Sequence, residues 1–310
     1  MADRPTPQRV DPSALKQRLG GTGVWLASLS AAPVDEARRT VAEIERLGYT
    51  TLWIGETPAG REALTHAALL LAATERLQVA TGIANIYARD AVAAANGART
   101  LADAWGNRFV LGLGVSHAPL VTTRGHDYGK PVAAMRDYLD AMDAASFPAP
   151  LSEEPPRVLA ALRRKMLELA ATRAQGAHSY FVTPEHTAHA REILGPGPVL
   201  APEQAVVVGT DPAAARATAR KYAATYLALP NYVNNLRELG FSDRDFDGGG
   251  SDALIDAVVP WGDPETLAGR VRTHHEAGAD HVCVQPIAAT LAEQLEHLRL
   301  LAPALHGLSR

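Results

Sequence analysis

Apolar and polar residues follow two rhythms along this chain. One has a period near 3.6: Val34, Ala37, Val41 and Ile44 mark one helical face, and Leu291, Leu295, Leu298 and Leu301 another. The other is a series of short, nearly all-apolar runs, the pattern of parallel strands covered on both faces. Three times a helical stretch passes through a glycine into such a run: "AEIERLGYTTLWIGE", "ELAATRAQGAHSYFVTPE" and "THHEAGADHVCVQPI". Gly48, Gly176 and Gly278 are therefore expected at helix C-caps, where a left-handed conformation is wanted. Thr183-Pro184, Asp211-Pro212 and Asp263-Pro264 pair a capping side chain with proline at the first helical position.

Counted in order, strands are predicted near 23–29, 50–55, 77–82, 108–115, 157–162, 178–183, 204–209 and 280–286. Helical patterns separate them, and the last runs from about Thr290 to Leu301. Eight alternating units without a linker-like break predict an α/β fold of the (β/α)8 TIM-barrel class, with a doubly wound open sheet as the alternative. Residues 1–21 read as an N-terminal arm and 22–310 as a single domain. The Pro-, Asn- and Gly-rich segment 228–262 reads as an insertion between strands seven and eight.

Composition narrows the class. The chain has 310 residues, 47% hydrophobic and 21% charged, which is enough apolar material for a large core. A net charge of −4 with both signs interspersed gives no nucleic-acid or polybasic membrane surface. The single cysteine, Cys283, lies in "HVCVQPI"; it is expected as a packed core thiol, and the setting as cytoplasmic. The N-terminus has no signal-peptide core, and no run of about 20 apolar residues exists to span a bilayer.

In such a barrel, chemistry collects at the C-terminal ends of the strands. Strand two ends in "WIGETP", which puts the Glu56 carboxylate at the mouth, as a proton-transfer group or in an ion pair. Strand three leads into "TGIANIYARD", longer than the about 2–6 residues that a strand–helix link needs. There Gly82 permits close approach and Asn85 offers a donor and an acceptor. Strand four ends in "VLGLGVSHAP": Gly112 and Gly114 are expected to leave room for a ligand, and His117 to move protons. Arg163, Arg164 and Lys165 open a helix after strand five, where an anion is favoured. His186 and His189 could share a helical face, but no third ligand at metal spacing accompanies them, and no metal is predicted.

Taken together, "VATGIANIYARD", "RFVLGLGVSHAP", "SYFVTPEHT", "LAPEQAVVVGTDP" and "WGDPETLAGRVRTHHEAGADHVCVQ" resemble the luciferase-like superfamily. They look closest to its branch that uses the deazaflavin coenzyme F420, and the resemblance spans roughly residues 22 to 305. It implies a (β/α)8 barrel with a late insertion and an oxidoreductase acting on a small organic molecule. It also implies a homodimer. By resemblance, Gly82, Ile83 and Ala84 form a bulge with a non-proline cis peptide behind the cofactor ring, with Asn85 close by. Gly114, Val115 and Ser116 would line the ring's edge, Leu162, Arg163 and Arg164 the phosphate, and Thr183 to His186 the rest of the pocket. Several relatives carry Asp-His at the end of strand two; here the pair is Glu56-Thr57, so His117 or Glu56 must carry any proton. The alternatives are an FMN-dependent monooxygenase and a non-catalytic flavin- or deazaflavin-binding barrel. The substrate pocket is expected from the 228–262 segment, including Tyr232, Asn234, Asn235 and Trp261.

Overall fold

Each apolar run becomes a short strand whose residues point alternately into the sheet's hollow and out to a helical shell. The computed structural model describes residues 8–309 and is a mixed α/β fold around one curled parallel sheet. Its main strands are β1 (Thr22–Trp25), β2 (Thr51–Ile54), β3 (Gln78–Thr81), β4 (Phe109–Gly114), β5 (Arg157–Ala160), β6 (Gly176–His178), β7 (Glu203–Val208) and β8 (Val282–Pro286). They pair in the order β6-β5-β4-β3-β2-β1-β8-β7. A two-residue strand, Val199–Leu200, pairs with β6 and leads directly into β7. Backbone bonds from Ala201 N to Ala177 O (2.9 Å) and Glu203 N to Ser179 O (2.7 Å) join the β6 side to the β7 side.

Helices between the strands bury one face each, and the stripes expected at Ala37, Val41 and Ile44 and at Leu291, Leu298 and Leu301 are buried. Within the curl lies a separate core of Val10, Leu15, Leu19, Trp25, Trp53, Ala80, Val110, Val158, Val199 and Cys283. The helix Pro12–Leu19 stoppers this hollow at the strands' N-terminal end, and the Leu19 carbonyl accepts from Thr51 Oγ1 at 2.9 Å. Cys283 is the packed thiol its sequence context predicts.

Two local expectations are corrected. β6 covers 176–178 rather than 178–183, and the chain turns off at Phe181, which has a positive φ of 56°. Gly176 is therefore not a helix cap. It opens β6, and a Cβ there would overlap the Val199 carbonyl. Gly48 and Gly278, with φ of 91° and 100°, do follow helix ends as predicted.

Between β7 and β8 the chain forms the helices Pro212–Leu227, Pro230–Glu238, Asp252–Val258 and Pro264–Glu276. Ala215, Ala219, Tyr232, Leu236, Leu254 and Ile255 from this stretch pack with Phe181 and Val207 as a second apolar cluster beside the strand ends. Among the described residues no helix is long and apolar enough to cross a membrane.

Candidate active site

The long link after β3 is built around a carboxylate. Glu56, with a side chain only 2% exposed, pairs with Arg89. It also accepts from the backbone N–H groups of Asn85 (2.8 Å) and Ala63 (3.1 Å). Arg89 reaches Glu62 as well, at 2.6 Å. Asn85 Oδ1 in turn accepts from Tyr87 N (2.9 Å), and Ile86 N donates to Gly114 O (3.0 Å). Every hydrogen-bonding group of this irregular backbone that these contacts use is thereby matched inside the protein, which holds the loop in one shape.

At its start the Gly82–Ile83 peptide bond is cis, without proline. A Cβ on Gly82 would lie 2.5 Å from Trp25 Nε1 and 3.1 Å from His178 Nε2, so only glycine lets the backbone rest on those rings. Those two nitrogens are buried and have no hydrogen-bond partner among the described residues. The sequence predicts room for a ligand beside Gly112 and Gly114, and the structure corrects this, because both notches are filled from within the protein. The Thr81 carbonyl occupies the first notch, and Ile83 fills the second.

Beneath the loop, aromatic and imidazole rings interlock. His178 stacks on Trp53 at 4.6 Å, and Trp53 Nε1 donates to His281 Nε2 at 3.0 Å. His178 Nδ1 and His281 Nδ1 each meet a backbone carbonyl at 2.7 Å, Ala201 and Gly20 respectively, which fixes both tautomers with the proton on Nδ1. Burial pushes both imidazoles down to about 4, so they are neutral at pH 7.

Across the mouth stands a tyrosine wall. Tyr180, which follows β6, lies edge-on to Trp25 at 5.1 Å. Its hydroxyl donates to Gln285 Oε1 (2.7 Å) and meets the hydroxyls of Tyr222 (2.9 Å) and Tyr226 (3.0 Å). Behind them sits Glu203, 1% exposed, which accepts from Phe181 N at 3.1 Å and meets Tyr222 Oη at 3.5 Å. Without a cation beside it, burial pushes this carboxyl up to about 8, so it is protonated at neutral pH.

The predicted site residues separate into two groups. Gly82, Ile83, Ala84, Asn85, Gly114, Val115 and Ser116 come together, because Ala84 and Asn85 pair with Leu113 and Gly114. The Ser116 carbonyl accepts from Tyr128 Oη at 3.0 Å. His117 is half-buried and faces Tyr232 at 5.5 Å. Burial lowers its pKa, and a hydrogen bond with Asn231 partly opposes this. The second group is tied to structure. His186 Nε2 meets Leu162 O at 2.7 Å, with burial holding the imidazole down to about 4. Arg163 pairs with Glu238 and Arg164 with Glu168 (3.6 Å), while Lys165 lines an outer groove with Arg136 and Arg173. The three basic residues thus do not gather on one ligand. Of the residues expected to form a substrate pocket, Tyr232 reaches the mouth. Asn234 accepts from Arg237 (3.2 Å), Asn235 is buried, and Trp261 Nε1 donates to Asp256 (2.8 Å).

Sequence reasoning did not single out Trp25, Arg89, His178, Tyr180, Glu203, Tyr222 or Gln285. For Glu203 the signal is present: a carboxylate opening the otherwise apolar run "EQAVVV" has to be neutralised or paired. The tyrosines carry no such mark, since Tyr180 follows a strand and Tyr222 lies on a helix, and only the fold brings them together at the mouth.

The curled parallel sheet, apart from β8, and the braced loop after β3 lie within a stretch that a family model also matches. Residues 17–281 match the model of the luciferase-like monooxygenases. The chain belongs to that family.

Among solved structures, the coenzyme F420-dependent tetrahydromethanopterin reductase from Methanopyrus kandleri is similar, with a TM-score of 0.77 at 16% identity over 94% of this chain and 99% of that one. An F420-dependent secondary alcohol dehydrogenase, solved with an F420-acetone adduct, gives 0.67 at 17% identity over 92% and 99%. The oxygenating constituent of 3,6-diketocamphane monooxygenase from Pseudomonas putida, solved with FMN, gives 0.66 at 15% over 92% and 97%. At these identities the likeness is one of fold. A putative coenzyme F420-dependent oxidoreductase from Mycobacterium tuberculosis is 34% identical over 119 residues, which are 38% of this chain and 34% of that relative. The match therefore spans about a third of the relative's length.

Proposed function

We propose that the protein is an F420-dependent oxidoreductase whose fold is a (β/α)8 barrel carrying an insertion at about 228–262. The observation that carries this reading is the bulge at Gly82–Asn85, clamped by Glu56 and resting on Trp25. A flat, stiff backbone surface lined by glycine is what a planar ring needs behind it. The identity to the M. tuberculosis relative favours a deazaflavin. Because Arg163 and Arg164 are ion-paired, the basic turn does not itself separate F420 from FMN, and FMN remains the alternative through the neighbour solved with it.

The residues fit such a group. Gly82, Ile83, Ala84 and Asn85 would back the ring, with Gly114, Val115 and Ser116 along an edge. The helices Arg164–Arg173 and Pro184–Leu194 start at Arg163 and Thr183 without a side-chain cap, whereas those after Asp90, Asp211 and Asp263 are capped. Two open helix N-termini beside the mouth offer N–H groups to a phosphate. When bound, a deazaflavin supplies or takes a hydride; the protein's share is to hold the ring, seat the substrate and manage the proton. Glu56 contributes by fixing the loop. His117, neutral and facing the mouth, acts as a hydrogen-bond partner for ligand.

The test is to mix the protein with reduced F420 and a panel of ketones, aldehydes, imines and enones, following reoxidation by absorbance. Turnover with at least one class, dependent on protein, is expected; turnover only with reduced FMN and oxygen would move the chain to the monooxygenase reading. His117→Ala is expected to lower kcat about tenfold, the scale of one lost hydrogen bond, with F420 affinity changed by less than about threefold.

A further inference from the structure

The two residues nominated by the sequence are engaged otherwise: Glu56 is ion-paired with Arg89, and burial disfavours the protonated form of His117. A hydride reaction at a carbonyl nonetheless needs a donor. Glu203, Tyr222 and Tyr180 make a continuous hydrogen-bonded chain from the interior to the mouth, with steps of 3.5 and 2.9 Å. Its inner end is wholly buried; its outer end, Tyr180, is half-buried and packs on Trp25, the ring on which Gly82 rests. Among the described residues the groups that bond Tyr180 are hydroxyl and amide, from Tyr222, Tyr226 and Gln285, which suit a neutral rather than an anionic substrate.

We propose that these three residues are a proton relay, with Tyr180 donating to the oxygen of a neutral carbonyl substrate and Glu203 refilling it through Tyr222. This deepens the oxidoreductase reading and rests on it. The Tyr180 O–H bond breaks as the substrate oxygen, charged by hydride arrival, gains that proton. Tyr222 passes its proton to Tyr180, and Glu203 passes its own to Tyr222. The net change is one proton from the Glu203 carboxyl to the substrate, while the electron pair of the new C–H bond comes from the reduced deazaflavin. Tyr180 is then the catalytic residue, and Glu203 and Tyr222 act through it.

The groups facing Glu203 are Tyr222 and Tyr226 from the helix Pro212–Leu227, Tyr232 from the next helix, Tyr180 after β6 and Cys283 from β8. All are neutral at pH 7, so the acid's supply is governed by burial, which holds it protonated up to about pH 8. The tyrosines are pushed higher still by burial and do not compete as the titrating group.

Two measurements test the relay. The ligand-free protein is titrated from roughly pH 6 to roughly pH 10 under infrared difference spectroscopy, beside Glu203→Gln and Tyr222→Phe. A protonated-carboxyl band is expected to vanish with a midpoint near pH 8, to be missing in Glu203→Gln and to titrate higher in Tyr222→Phe, which lacks the hydrogen bond favouring the carboxylate. No such band, or an unmoved midpoint in Tyr222→Phe, overturns the relay. With reduced F420 and a ketone, kcat is expected to fall above about pH 8 in the wild type. It should be about 100-fold lower and flat with pH in Glu203→Gln and Tyr180→Phe, with F420 dissociation constants within about threefold. Unchanged profiles in these variants overturn the proposal. Failure of the wild type to bind F420 counts instead against the cofactor reading, and the infrared result then decides the relay alone.

Discussion

The protein is expected to unfold cooperatively on mild acidification, with a midpoint near pH 5. Five histidines are buried and held neutral in the folded state. His66, His178, His186 and His281 are pushed by burial down to about 4, and His274 to about 3. In the unfolded chain each takes up a proton near pH 6.5. Unfolding between these values therefore binds protons, and stability falls as pH drops. Each histidine contributes about 1.4 kcal/mol per pH unit, so five together approach about 7 kcal/mol per unit. Against a total stability of about 5–15 kcal/mol, one to two units below pH 6.5 exhaust the reserve. Circular dichroism with tryptophan fluorescence reads the transition, since Trp53 stacks on His178 and bonds to His281. A cooperative native state persisting at about pH 4 would contradict this account of the core. Glu203 works with the opposite sign. Its contribution is whole below the usual carboxylate range and is lost as pH rises towards about 8, so Glu203→Gln should flatten the alkaline side.

Glu56→Ala is expected to cost about 3 kcal/mol and to weaken cofactor binding at least about tenfold. Removing one partner of a buried ion pair leaves the other charge stranded, and that loss usually runs to about 3–5 kcal/mol. Here Glu62 retains part of the contact with Arg89, which argues for the lower end. The backbone N–H groups of Asn85 and Ala63 lose their acceptor at the same time. Glu56→Gln keeps an oxygen for Asn85 while removing the charge, and should fall between the two. Thermal denaturation and F420 titration of the three proteins check this. If Glu56 instead transferred protons itself, Glu56→Gln would lose kcat with melting temperature and affinity intact.

Much of the frame was legible because it rests on local rules. Apolar runs, capping aspartates at 211 and 263 and glycines at 48 and 278 are read within a few residues of themselves, and the structure places them accordingly. Gly176 misled because its reason is non-local: it makes room for the Val199 carbonyl on a neighbouring strand. Gly112 and Gly114 misled likewise, since their empty faces admit Thr81 and Ile83 rather than a ligand. The loop after β3 announced itself by length and composition, and its cis peptide was expected by resemblance and is present. The tyrosine wall was not legible. Tyr180, Tyr222 and Tyr226 meet only because a helix after β7 folds over the mouth, and single tyrosines are ordinary residues in any helix. The basic turn shows the converse: three adjacent charges looked like an anion site, yet two find carboxylates within the protein and the third faces another groove.

The most direct test of the central claim is calorimetric titration of the purified protein with F420 and, separately, FMN, each oxidised and reduced. The account predicts micromolar or tighter binding of F420, with FMN weaker by at least about tenfold, or about 1.4 kcal/mol. Preference for FMN, or binding of neither, would contradict it.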